Sequence, residues 1–246
     1  MDTGAVQHEK VHGEALAGAL ASLTILPAIA PFGMLYGALA INAGFEPWQA
    51  WLASATVYAG ASQYLMLEML DQSLSPLAIL LAMLAINFRH VLYSAALGRH
   101  LVRFSRGQKA LAFGLMVDPV FAAGEQRARR TGTLGPRWYF GYALAVYAVW
   151  MLSNVLGTMF GALIPDPASW GLDYVLPLYF LGLLTGFRAS SGFVPVLGAA
   201  VLGSIGMHLT VGAPYHILGG SLAGLAVAVW RVPSPPSSSP PPGSGA

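Results

Sequence analysis

Asn87, Arg89, His90, Tyr93 and Ser94 fall within eight consecutive positions of a stretch, Leu74 to Leu97, whose other members are almost all apolar. On a helix, Asn87, His90 and Ser94 at i, i+3 and i+7 share one face, and Arg89 and Tyr93 at i and i+4 share another roughly opposite. Unpaired polar groups in hydrocarbon cost several kcal/mol. A helix polar on two sides therefore turns neither toward lipid. Arg89 stands ten residues before Arg99, about 15 Å along a helix axis, so it snorkels only in part to the interface. Its partner is then a carboxylate, a set of helix C-terminal carbonyls or an anionic group on a substrate, unless it is an interfacial arginine on headgroup phosphate.

Two further clusters have the same character. Tyr58-Ala59-Gly60-Ala61-Ser62-Gln63-Tyr64 combines small residues, which let a backbone approach a ligand, with the donors and acceptors of Ser62 and Gln63; the alternative is plain helix packing sealed by a hydrogen bond. Asp118-Pro119 places an acid beside a residue that frees a backbone carbonyl. Asp118 is thus a candidate proton carrier, or else it neutralises Arg89 or caps a broken helix. Glu68 is a weaker candidate, because Asp71 nearby suggests an aqueous edge. Gly60-Ala61-Ser62 also resembles the start of a serine-hydrolase motif, but Tyr64 stands where a GxSxG elbow needs glycine, and no histidine is placed as its base. The expectation is that the chain is not an enzyme.

The elements that carry these clusters belong to a bilayer. Of 246 residues 56% are apolar and only 9% charged, against about 25% charged in soluble domains. Apolar segments run approximately over Ala15–Ile41, Trp48–Leu70, Leu74–Leu97, Ala110–Ala123, Trp138–Ile164, Leu172–Phe187, Phe193–Val211 and Pro214–Trp230, enough for about six to eight segments at roughly 20 residues per span. The expected fold is all-α and polytopic, with broken or re-entrant helices. It comprises a polar N-terminus (1–14), one transmembrane domain (15–231) and a disordered Pro/Ser-rich tail (232–246). Pro27 and Pro31 predict a kink or unwound stretch in the first segment, with Gly33 and Gly60 as further break positions. Cysteine is absent, which removes disulfides, thiol nucleophiles and cysteine-ligated metals. No metal site is expected at His208 and His216, which lack a carboxylate neighbour, and no cofactor is expected. The GxxxG spacings at Gly33/Gly37, Gly157/Gly161, Gly182/Gly186 and Gly220/Gly224 are no more than the 29 glycines make by chance.

Eight of the twelve basic residues lie in two runs, Arg99 to Lys109 and Arg127 to Arg137. By the positive-inside rule both runs are cytoplasmic. The fourth segment then enters and leaves on one face, as a re-entrant or broken element. The side of the N-terminus stays open, as does whether segment two is re-entrant.

Four elements in order resemble the AzlC-type branched-chain amino acid permease family. They are Leu26-Pro27 with Pro31-Phe32-Gly33 and Gly37; Ala59-Gly60-Ala61-Ser62-Gln63; Asn87-Phe88-Arg89-His90-Val91-Leu92-Tyr93; and Asp118-Pro119-Val120-Phe121-Ala122. The resemblance spans about Ala15 to Trp230, and Pro119 stands where the family usually has a second acid. It implies an exporter of branched-chain amino acids in the bacterial inner membrane, working with a small hydrophobic AzlD-like subunit. A zwitterion with an aliphatic side chain suits Arg89 or the helix-break amides near Pro31 for its carboxylate. Ser62, Gln63, Asn87, Tyr58 and Tyr93 would orient it, and Asp118, His90 or Glu68 would titrate. The alternatives are a non-catalytic membrane scaffold or accessory subunit, and a transporter of another small polar solute.

Overall fold

The computed structural model describes residues 3–160, 192–212 and 215–231, with isolated positions between 174 and 188; for residues 3–12 and 218 it describes the backbone alone. The expected segment Leu172–Phe187 lies largely outside the described residues, and the Gly182/Gly186 pair and the 232–246 tail lie wholly outside them. Every regular element described is helical, as the long apolar segments predict for a chain that must satisfy its backbone within the bilayer.

The first unit, Met1–Tyr179, contains α1 (Thr3–Ser22), α2 (Leu26–Asn42), α3 (Pro47–Thr56), α4 (Gly60–Asp71), α5 (Pro76–Asn87), α6 (Arg89–Gly98), α7 (Arg106–Gly114), α8 (Asp118–Thr131) and α9 (Pro136–Phe160). Helix α9, 25 residues long and apolar enough to span, is the post against which α1, α2 and α3 pack. Small residues make that packing close. A Cβ on Gly33 would lie 2.7 Å from the Ser153 Cβ, and one on Gly37 would lie 2.8 Å from the Thr158 amide nitrogen. The Gly33/Gly37 spacing that composition alone explained is therefore used on α2, against Gly157 of α9 among others; Gly161 lies outside the described residues.

The first segment bends just before Pro27, as that proline predicts, and not at Pro31. α1 and α2 meet at 66° across a turn at 23–25. Pro27 occupies the first turn of α2, where its missing amide leaves no bond unmade. Pro31 lies inside α2, which stays helical through it. Gly33 packs against α9 instead of breaking the chain. The expectation for Gly60 fares better: the second segment parts at Val57–Ala59, and Gly60 opens α4. The third segment is nearly continuous, with α5 and α6 forming one 23-residue span through a single turn residue, Phe88. The fourth breaks at Leu115–Val117 between α7 and α8, as Asp118-Pro119 suggests.

The second unit, Phe180–Ala246, is described chiefly as a hairpin of α10 (Phe193–Thr210) and α11 (Tyr215–Arg231). Its helices touch through Gly203, Gly219, Gly220 and Gly224, where added Cβ atoms would meet the opposite helix within about 3 Å. The sequence reading drew a single transmembrane domain across both units.

Candidate functional site

The breaks converge on one place. An open cavity of about 770 Å³ is lined by Thr56 at the end of α3, by Val57, Tyr58 and Ala59 of the α3–α4 break, by Asn87 and His90 at the α5–α6 turn, by Leu115 and Met116 of the α7–α8 break, and by Leu144 and Tyr147 of α9. That volume lies within the roughly 300–1,000 Å³ of small-molecule sites. Most of the lining is apolar, and two of its residues carry a buried polar atom without a hydrogen-bond partner: the Tyr58 hydroxyl and the Asn87 side-chain carbonyl oxygen. Such atoms are rare in folded chains, and water or a ligand is the usual explanation. Tyr58 is held edge-on by Tyr147, ring centroids 4.8 Å apart. The Asn87 amide nitrogen donates to Ser62 Oγ at 3.1 Å, and Ser62 donates to the Ala59 carbonyl at 2.9 Å. Asn87 thus points its free carbonyl oxygen while its amide end is fixed to α4.

His90 lies on the same side. Its Nδ1 is 3.2 Å from the Asn87 backbone oxygen, a bond that requires the proton on Nδ1. The opposite face of α6 has partners too. Arg89 Nη1 lies 3.0 Å from Asp118 Oδ1, and the Tyr93 hydroxyl donates to the same oxygen at 2.7 Å. Tyr93 also stacks on Phe121 at 4.3 Å. Of the partners open to Arg89, the structure selects the carboxylate. Asp118 sits in the first turn of α8, where a negative charge also complements the helix dipole. It both neutralises Arg89 and favours the start of a broken helix.

Gln63 is buried behind the cavity, not in its wall. Its amide nitrogen donates to Ser54 Oγ at 3.0 Å, where the Trp150 indole also donates at 2.9 Å, and Ser54 in turn donates to Asn154 Oδ1 at 2.8 Å. Asn154 donates back to the Trp150 carbonyl at 2.8 Å. Sequence reasoning passed over Ser54 and Asn154, although polar residues inside the segments Trp48–Leu70 and Trp138–Ile164 carry the same signal that singled out Asn87. It also passed over Glu125, a buried acid among the basic runs that meets Arg99, His100 and Arg129.

Other candidates lie elsewhere. Glu68 is exposed near the end of α4, with the Gln72 amide at 3.5 Å as its neighbour. Because α4 begins only at Gly60, Glu68 is carried two turns away from the break. Pro27, Pro31 and Gly33 take no part in the cavity wall: Pro27 stands at the break after α1, and α2 is unbroken at Pro31 and Gly33. Tyr64 fills the aromatic cluster with Phe32 and Tyr36, its hydroxyl donating to the Phe32 carbonyl at 2.6 Å. Among the described residues no group of three or more His, Asp or Glu side chains is arranged to hold a metal. The rings of His208 and His216 pack edge to face at 5.4 Å in the second unit.

The family model described as AzlC protein matches residues 24–164. Inner membrane protein YgaZ of Escherichia coli (strain K12) is 31% identical over 215 residues, 85% of this chain and 86% of that protein. A membrane protein of Archaeoglobus fulgidus is 30% identical over 217 residues, 87% of this chain and 93% of its own length. A Helicobacter pylori membrane protein is 23% identical over 164 residues, 66% of this chain and 70% of its own. No solved structure matches the chain. The family match runs through every helix that walls the cavity, and the two more similar of these relatives align over most of their length, so this chain is a membrane protein of the AzlC family.

Proposed function

We propose that the chain exports branched-chain amino acids such as leucine, isoleucine and valine across the bacterial inner membrane, and that it works with a small AzlD-like subunit. The observation that carries this reading is a mostly apolar cavity at the meeting of helix breaks, two of whose lining residues, Tyr58 and Asn87, hold a polar oxygen without a partner. Discontinuous helices at mid-membrane are where transporters expose unpaired amides and carbonyls to polar substrate groups. The Asn87 oxygen and the Tyr58 oxygen accept from the ammonium group. The first amides of α4, which have no intrahelical acceptor, face the carboxylate at the break. Leu111, Leu115, Met116 and Leu144 receive the aliphatic side chain.

Arg89 has a different part from carboxylate binding, because Asp118 already occupies it. Proton uptake by Asp118 weakens its hold on Arg89 and Tyr93 and loosens α6 from α8. His90, at the cavity edge, is the second titrating group. Coupling to protons then involves both faces of α6, with His90 on the cavity side and Asp118 on the side turned away from it.

The test is counterflow in proteoliposomes. Purified protein, with and without its small membrane partner, should exchange labelled for unlabelled leucine without chemical change. Appearance of a new product would make the chain an enzyme, and absence of any flux in either preparation would return the scaffold reading. Tyr58→Phe removes only an unpaired hydroxyl, and it should raise the KM for leucine about tenfold, the equivalent of about 1.4 kcal/mol. An unchanged KM would remove Tyr58 from the site.

A further inference from the structure

The second segment contains no proline between Pro47 and Asp71 that would force it apart. Thr56 and Val57 are weak helix formers and Gly60 a weaker one, yet their summed preference is small beside the cost of unmaking backbone hydrogen bonds in lipid. Something else holds α3 and α4 separate. Ser54 and Gln63 are nine residues apart and hydrogen-bonded at 3.0 Å. In an unbroken helix nine residues advance about 14 Å and two and a half turns, so the two side chains would point to opposite faces. This bond exists only when the span is broken. Trp150 touches both halves as well: its indole donates to Ser54 at 2.9 Å, and a Cβ on Gly60 would come 3.0 Å from its ring.

We infer that the Ser54 hydroxyl is a positioning residue, the centre of a clasp with Gln63, Asn154 and Trp150 that keeps the α3–α4 break apart and so presents Tyr58 and Ala59 to the cavity. Ser54 uses its full hydrogen-bonding capacity, accepting from Gln63 and Trp150 and donating to Asn154. The group is wholly buried, with Ser54, Gln63 and Asn154 at 0% exposure. None of the four residues lines the cavity. Its effect on the cavity passes through the backbone of the break, and this inference rests on the cavity being the substrate site only for its transport consequence.

The chain has no cysteine, so a pair of spin labels can be introduced without background at Trp48 and Leu70, both exposed and outside the clasp. The parent should give one narrow distance distribution. Ser54→Ala should broaden it or add a population near about 33 Å, the spacing of an unbroken helix across those positions. Ser54→Thr, which keeps the hydroxyl, should restore the parent distribution. Gln63→Met removes one arm of the clasp at similar volume and should shift the distribution in the same sense; if Ser54→Ala does not yield folded protein, Gln63→Met alone decides. A parent-like distribution in these variants would overturn the inference. In flux assays Ser54→Ala should raise the leucine KM at least fivefold with the maximal rate within about twofold, and Ser54→Thr should recover it. Loss of leucine transport in the parent itself would overturn the proposed function and leave the label distances to judge the clasp.

Discussion

Arg89 and Asp118 neutralise each other across α6 and α8, with side chains 19% and 14% exposed. Taking one charge away leaves the other poorly solvated, and breaking such a buried pair costs about 3–5 kcal/mol. Partial exposure places this pair near the lower end. Arg89→Gln and Asp118→Asn should therefore each lower the unfolding midpoint in detergent, whereas the double variant should be less destabilised than the sum of the two. Strict additivity in that cycle would show that the pair contributes no coupling. Tyr93 shares the Asp118 oxygen, so Tyr93→Phe should produce a smaller loss of the same sign. The place of Arg89 within an apolar run was legible in the chain, because charge there is conspicuous. Its partner was only one of several options, because the choice depends on which helix lies beside α6.

At the scale of elements, the contrast between α2 and the α3–α4 span shows what prolines and glycines decide. Pro31 sits in a helix that remains whole, and the break that matters for the cavity occurs with no proline at all. Close approach to α9 explains the first, since small residues on both helices let their backbones pack. Gly157→Ala should be costly, because its Cβ would enter the Met34 backbone, with the Met34 carbonyl carbon at 2.7 Å. Overpacking of this kind costs about 1–3 kcal/mol. Gly114→Ala, with nothing within 4 Å, should be neutral or mildly stabilising. Thermal unfolding of the two variants side by side tests the assignment; equal midpoints would refute the tight α2–α9 crossing. GxxxG spacing could not announce this on its own, since so glycine-rich a chain produces it by chance.

Across the whole molecule the basic residues set orientation. Arg99 to Lys109 precede the α7–α8 break and Arg127 to Arg137 follow it, so both ends of that element should face the cytoplasm. Single cysteines at Arg103 and Arg130 should label from the cytoplasmic side only. Labelling of the two from opposite sides would make α7–α8 a crossing, not a re-entrant element. Residence in the bilayer, the all-helical class and the break at Asp118-Pro119 follow from the sequence by itself. They are local properties of hydropathy, charge and backbone chemistry. The tertiary structure decided that Arg89 pairs with Asp118, that Gln63 binds Ser54 behind the cavity, that Glu68 stands apart from it, and that Pro31 leaves α2 intact. Each of these depends on groups brought together from distant parts of the chain or on a neighbouring helix that holds a segment in place, and periodicity along one helix carries no information about which other helix it will meet.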